Sequence, residues 1–159
     1  MRYFIDTEFY ERGHELPIQL ISLGVVANDG REFYAENSDV DLEELSPWLK
    51  ENVVPHLTGP RMPHAEIGPA FLRFLGNDMW PSFWGYFADY DWVLFCQLFG
   101  SMMSLPDFFP QFCLDVRQVM YQGVWTLPNV SFTGPQHNAL VDARWTKAVI
   151  DRLEGKRSL

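Results

Sequence analysis

The sequence predicts an α/β fold, a mixed sheet covered by helices, on three observations. The chain opens with three strands that must run antiparallel. After them, helical periodicity alternates with short apolar strand-like runs. Its 159 residues, 47% hydrophobic and 16% aromatic, provide one core's worth of apolar side chains.

The first strand covers Met1 to Phe9, and Glu11 to Pro17 is a polar loop around Gly13. Ile18 to Ala27 is a β-branched strand, and Asn28-Asp29-Gly30 is a hairpin signal because Asn and Gly tolerate positive φ. Arg31 to Asn37 returns antiparallel, setting Phe33 and Ala35 against Glu32, Tyr34 and Glu36. Ser38 to Leu57 is acidic and then helical, with Ser46-Pro47 as N-cap and first helical residue. Thr58 to Pro63 holds a glycine and two prolines and reads as a loop. Ala65 to Leu75 is an amphipathic helix closed by Gly76-Asn77. Trp80 to Phe87 is the fourth strand, and Tyr90 to Phe99, apolar nearly all round, is a buried helix. Gly100 to Pro110 is a loop, Leu114 to Gln122 a short strand running into a helix, and Gly123 to Gln136 an irregular loop. Asn138 to Leu153 is the last helix, followed by a polar, frayed tail. Residues 1–159 thus read as a single domain without repeats.

Composition removes several function classes. No run is long enough to span a membrane, and Asp6 and Glu8 interrupt the N-terminal apolar run too early for a signal peptide. Cys96 and Cys113 lack metal-ligand spacing and read as reduced core residues of a cytoplasmic protein. A net charge of −9 and a pI near 4.7 argue against a tight nucleic-acid binder with a basic stripe. They leave room for a chain that makes few phosphate contacts and binds weakly.

Three stretches carry chemistry. In Ile5-Asp6-Thr7-Glu8-Phe9, strand alternation projects Asp6 and Glu8 to the same side. Two carboxylates there repel each other and cost desolvation unless cations sit between them, and hard divalent ions want such oxygens. In His137-Asn138-Ala139-Leu140-Val141-Asp142, a loop delivers a histidine, able to take a proton from water near neutral pH, to the mouth of a helix carrying an acid. In Phe87-Ala88-Asp89-Tyr90-Asp91-Trp92-Val93-Leu94, a strand ends and a helix begins. Either Asp89 or Asp91 can point into a cleft at the carboxyl end of that strand. By contrast, Trp84, Trp92, Trp125 and Trp145 read as core, Asp115 as a helix cap, and His14, His56 and His64 as surface residues.

In the order Asp-x-Glu, Asp, His-x-x-x-x-Asp, these residues resemble the DEDDh 3′–5′ exonucleases of the RNase T and proofreading-exonuclease superfamily, closest to the short stand-alone exoribonucleases of bacteria and phages. Asp6-Thr7-Glu8-Phe9 matches the first motif, Tyr90-Asp91 the aromatic-Asp that closes the second, and His137 to Asp142 the third, with its Ala two residues after the His. The second motif departs from the pattern: the family often has Asn four residues before the Asp, where this chain has Phe87. That leaves Asp89 and Asp91 both open, with Asp91 favoured.

The resemblance implies an RNase H-like fold, a five-stranded mixed sheet with its first three strands antiparallel and helices on both faces. It implies two Mg²⁺ (or Mn²⁺) ions held by Asp6, Glu8, Asp91 and Asp142, with His137 as general base. It implies Phe9 as a stacking surface for the terminal base, and Thr7 and Phe9 backbone groups near the terminal sugar. The expected function is a metal-dependent 3′–5′ exoribonuclease that releases nucleoside 5′-monophosphates from single-stranded RNA and forms a homodimer. Single-stranded DNA is the alternative polymer. A small-nucleotide phosphodiesterase, an RNase H-type endonuclease and a silent binding domain are the rival classes.

Overall fold

The computed structural model describes residues 1–14, 16–123 and 126–157. Strands β1 (Arg2–Tyr10), β2 (Gln19–Ala27) and β3 (Glu32–Asn37) form the antiparallel start. The hairpin between β2 and β3 closes where expected: the Gly30 N–H donates to the Ala27 carbonyl at 2.9 Å, and Gly30 takes a φ of 90°. Three short strands then join in parallel: β4 (Arg61–Met62) on β3, β5 (Ser82–Gly85) on β1, and β6 (Leu114–Asp115) on β5. The order across the sheet is β4-β3-β2-β1-β5-β6.

The sheet therefore has six strands, not five. The extra strand, β4, lies in the stretch expected to be a loop, and two residues are too few to show any periodicity. Pro60 cannot donate to a ladder, but it can accept. The Glu36 N–H donates to the Pro60 carbonyl and the Ser38 N–H to the Met62 carbonyl, both at 2.9 Å.

Five α-helices cover the sheet: α1 (Pro47–Asn52), α2 (His64–Leu75), α3 (Asp89–Gln97), α4 (Val116–Gly123) and α5 (Ala139–Arg157). Ser46 caps α1 by accepting from the Leu49 N–H at 3.3 Å, and Gly76 ends α2 at a φ of 68°. Helix α5 continues through residues expected to fray, where Glu154 accepts from Arg2 at 2.7 Å. None of the described helices is long and apolar enough to cross a membrane. Cys96 is buried and Cys113 half-buried, both as free thiols.

Strand alternation divides the interior. Tyr3 and Ile5 of β1, with Leu23, Val25 and Ala27 of β2, face a ring-rich core with Phe71 and Phe83. Within it Phe71 and Phe95 meet edge to face at 5.1 Å and Phe83 and Phe95 pack at 4.8 Å. Phe4 faces the other side, with Val116 and Met120 of α4 and Trp145, Val149 and Leu153 of α5. By the same alternation Asp6 and Glu8 share the Phe4 face, under α5. A two-pronged Arg144–Glu32 pair, at 2.7 and 2.6 Å, ties α5 to β3 across that face.

Candidate active site

The β1 carboxylates meet α5 because a glycine lets the helix come close. Gly24 pairs with Asp6 in the β1–β2 register. A Cβ on Gly24 would lie 2.2 Å from the Ala139 carbonyl carbon and 2.3 Å from the Leu140 nitrogen. The first turn of α5 thus rests on bare β2 backbone. Asn138 starts that turn, its Oδ1 accepting from the Val141 N–H at 3.2 Å while its Nδ2 donates to the His56 carbonyl at 2.9 Å. Asp142, one turn in, comes down beside β1. One oxygen each of Asp6, Glu8 and Asp142 lies within 4.8 Å of the others.

Asp91 arrives from the opposite side of the sheet, around its edge. Strand β5 pairs β1 only from Arg2 to Phe4, so the β1 edge beyond is free of a strand partner. Asp91, in the first turn of α3, fills part of that gap. Its Oδ1 accepts from the Thr7 N–H at 2.9 Å and from the Thr7 hydroxyl at 2.5 Å. Asp91 is buried whereas Asp89 is exposed at the start of α3, so it is Asp91 that stands against the first-strand carboxylates. Asp91 lies outside the tight group of three. Thr7, expected near the terminal sugar, is itself buried, and its amide and hydroxyl both serve Asp91. Asp115 is a clamp, as a cap should be: its two oxygens accept from the Ala88 N–H at 2.8 Å and the Arg117 N–H at 2.6 Å.

The electrostatics follow from this crowding. Burial first, then the charges of Asp91, Glu8 and Asp142, push the Asp6 carboxyl well above the usual carboxylate range. Glu8 is pushed up to about 8 by burial and then by Asp142 and Asp91. Asp91 is raised to about 7 by burial, against the lowering effect of its two Thr7 bonds. Asp142 is raised by burial as well. Only at Asp142 does a nearby positive group oppose the rise, where the charge of His137 and the His137 and Asn138 backbone bonds lower it. Such a cluster of hard oxygen donors, without a cysteine, suits a hard divalent cation.

His137 stands at the rim. Its backbone sits at a φ of 63°, a region histidine visits more readily than most residues, and its N–H donates to Asp142 Oδ2 at 3.0 Å. Its ring packs edge-on against Trp48 of α1, with centroids 5.0 Å apart. A cleft of about 400 Å³ opens beside Asp6, His137 and Asp142, walled by Tyr86, Phe132 and Trp145. On the other side of the cluster a groove lies between Glu8, Phe9 and Trp48. Phe9 keeps its expected place opposite Asp6 and Glu8: it packs on the ring-rich core and stacks on Tyr90 at 5.2 Å.

Trp145 is buried, and its Nε1 donates to the Val130 carbonyl at 2.9 Å, so it belongs to the core while one side lines the cleft. Trp84 and Trp92 pack against the cores, and Trp125 lies outside the described residues. Among the residues around the site that escaped the sequence reading are Gly24 and Trp48. Gly24 had a readable signal, a glycine within a β-branched run. Trp48 had none, because nothing local ties a six-residue helix to a histidine far along the chain.

The 3′–5′ exoribonuclease Rv2179c-like domain matches residues 1–153. The chain is 40% identical over 155 residues to 3′–5′ exoribonuclease Rv2179c of Mycobacterium tuberculosis (strain ATCC 25618 / H37Rv), covering 91% of this chain and 88% of that protein. Identity and coverage are the same for 3′–5′ exoribonuclease MT2234.1 of strain CDC 1551 / Oshkosh. Among solved structures, a 3′-exonuclease recognising a histone mRNA stem-loop superposes with a TM-score of 0.68 at 12% identity, covering 98% of this chain and 81% of that one. A full-length 3′-exonuclease superposes at 0.65 with 14% identity and the same coverage. At those identities the two structures speak for the fold alone. The family match and the relatives from M. tuberculosis go further: this chain belongs to the 3′–5′ exoribonuclease Rv2179c-like family and is an enzyme of the 3′–5′ exonuclease class.

Proposed function

We propose that the protein is a metal-dependent 3′–5′ exoribonuclease, residues 1–159 forming one catalytic domain, that removes nucleoside 5′-monophosphates one at a time from single-stranded RNA. The observation that carries this reading is the meeting of Asp6, Glu8 and Asp142 within 4.8 Å at the mouth of an aromatic cleft. The names of the M. tuberculosis relatives support RNA as the polymer.

Asp6, Glu8, Asp91 and Asp142 would hold two divalent ions, Mg²⁺ by preference. Bound there, the ions supply charge neutralisation at the scissile phosphate, a more acidic water and stabilisation of the departing 3′-oxygen. The chain's own residues do the rest. His137 accepts the proton of the attacking water as that oxygen bonds to phosphorus and the P–O3′ bond breaks. Asp142 fixes the loop that carries His137, through the His137 N–H. Thr7 holds Asp91 in place. Phe9, backed by Tyr90, offers a face to the terminal base next to Trp48. Homodimer formation and a cytoplasmic setting complete the reading.

A gel time course with matched 5′-labelled single-stranded RNA and DNA, in Mg²⁺, Mn²⁺ or EDTA, tests it. The expected result is an RNA ladder shortening from the 3′ end and lost in EDTA. Faster shortening of DNA would overturn the choice of polymer. No ladder on either strand would overturn the exonuclease reading of the site.

A further inference from the structure

Phe87, four residues before Asp91, is held in an unusual way. Its φ is 56°, the left-handed region that a bulky aromatic residue rarely enters, yet the ring is 62% exposed rather than buried by the strain. The fixing comes from Asp115, which accepts from the Ala88 N–H on one side and the Arg117 N–H on the other. One carboxylate therefore presents Phe87 and Arg117 together. The Arg117 guanidinium lies over the Phe87 ring at 5.4 Å and has no ion pair among the described residues. One turn along α4, Tyr121 is 89% exposed. Phe87, Arg117, Gln118 and Tyr121 line a groove of about 330 Å³.

A chain of ring contacts links the wall of the catalytic cleft to this groove. Phe132 stacks on Trp145 at 5.0 Å, Trp145 meets Tyr86 edge-on at 4.9 Å, and Tyr86 meets Phe87 at 4.8 Å. These rings run from the cleft beside Asp6 and Asp142 to Phe87, which shares the groove with the exposed Tyr121. Resting on the exoribonuclease reading, we propose that the Phe87–Arg117–Tyr121 groove binds the RNA strand 5′ of the scissile bond, its unpaired bases stacking on Phe87 and Tyr121 and Arg117 meeting a phosphate.

The chemistry suits that occupant and a chain of this charge. Every base has a π-face, so exposed rings hold single strands without reading sequence. An enzyme with a net charge of −9 cannot rely on a basic stripe, and stacking with one guanidinium is the economical substitute. Asp89, the exposed acid at the groove's edge, would keep phosphates toward Arg117.

The test compares a 5′-phosphorylated RNA dinucleotide, which has a single nucleotide 5′ of the scissile bond, with a heptamer, in Mg²⁺. Phe87→Asn keeps a residue that tolerates the left-handed backbone and removes the ring; Phe87→Trp keeps a stacking face. The ratio of kcat/KM on the heptamer to that on the dinucleotide should fall about tenfold in Phe87→Asn and Tyr121→Ala, through KM, and return with Phe87→Trp. Arg117→Gln should also flatten the salt dependence of heptamer KM, by about 0.7 in log–log slope for one lost phosphate contact. A ratio left unchanged in all variants would overturn the proposal and leave the rings as a surface for a protein partner. Equal losses on both substrates would also overturn it, by making Phe87 a structural prop. A wild-type enzyme inactive on both RNAs would remove the underlying exoribonuclease reading instead.

Discussion

The His137 ring rests edge-on against Trp48, with ring planes at 77° and centroids 5.0 Å apart, while the His137 N–H holds Asp142. One residue thus touches the carboxylate cluster through its backbone and the far wall of the groove through its side chain. The ring is parked at the rim by an exposed tryptophan, a contact easily exchanged for one with substrate. As the proposed base, it would act only in the proton-transfer step.

His137→Ala should therefore lower kcat by roughly 10²–10⁴ with little change in thermal stability, because the N–H bond to Asp142 is a backbone bond and survives. Single-turnover cleavage at saturating Mg²⁺ is the readout. A wild-type rate in His137→Ala would rule out the base role.

The carboxylate cluster makes metal, pH and stability one question. Glu8, raised to about 8, and Asp91, raised to about 7, bind protons more tightly in the folded chain than in the unfolded chain, and Asp6 is raised as well. Their contribution is fully favourable below the ordinary carboxylate range and is lost as pH rises from about 4 through about 8. In EDTA the Tm should fall over that window, by an amount equivalent to a few kcal/mol at about 1.4 kcal/mol per pH unit for each extra proton bound. Mg²⁺ should restore more at pH 8 than at pH 5. Asp6→Asn should raise the Tm in EDTA at pH 8 and reduce turnover to background. Equal Mg²⁺ effects at both values of pH, measured by scanning fluorimetry, would count against cation binding by these groups.

Thr7→Val keeps the shape of a β-branched residue and removes only the hydroxyl bonded to Asp91. A hydrogen bond to a charged group contributes about 1.5–3 kcal/mol, so kcat should drop by about ten- to a hundredfold if Asp91 orientation matters to the chemistry. Full activity in Thr7→Val would mean that the remaining amide bond suffices to hold Asp91. The readout is single-turnover cleavage at saturating Mg²⁺.

Much of the site was legible because strand alternation is a local rule. Once Tyr3-Phe4-Ile5 is a strand, Asp6 and Glu8 must share a face, and the face opposite must take Thr7 and Phe9. The long strands and α5 were legible for the same reason, since a sustained period shows in the chain. The residues alone left Asp89 and Asp91 both open and only the resemblance favoured Asp91, because residues two apart at a helix start point to different sides and the neighbouring β1 edge selects one. Strand β4 was not legible, because its pairing depends on carbonyls offered by a proline-bearing turn rather than on side chains. Trp48 became part of the site only through the tertiary approach of α1 to the His137 loop.

Gly24 ties fold and chemistry most tightly, since it is the register partner of Asp6 and the floor beneath the α5 turn that carries Asp142. Adding one methyl there would place a carbon 2.2–2.3 Å from Ala139 and Leu140 backbone atoms, well inside contact distance. No flexible side chain can yield, so α5 itself must lift. Gly24→Ala should cost about 1–3 kcal/mol in stability, as overpacking does, and shift the Tm down by several degrees. Activity should fall further than stability alone explains, because lifting α5 draws the Asp142 carboxylate away from Asp6 and Glu8 and displaces His137 with it. Raising the Mg²⁺ concentration should recover part of the loss, since a widened site binds cations more weakly. A variant that loses Tm but keeps wild-type kcat and Mg²⁺ dependence would show that Asp142 does not need its present distance from β1.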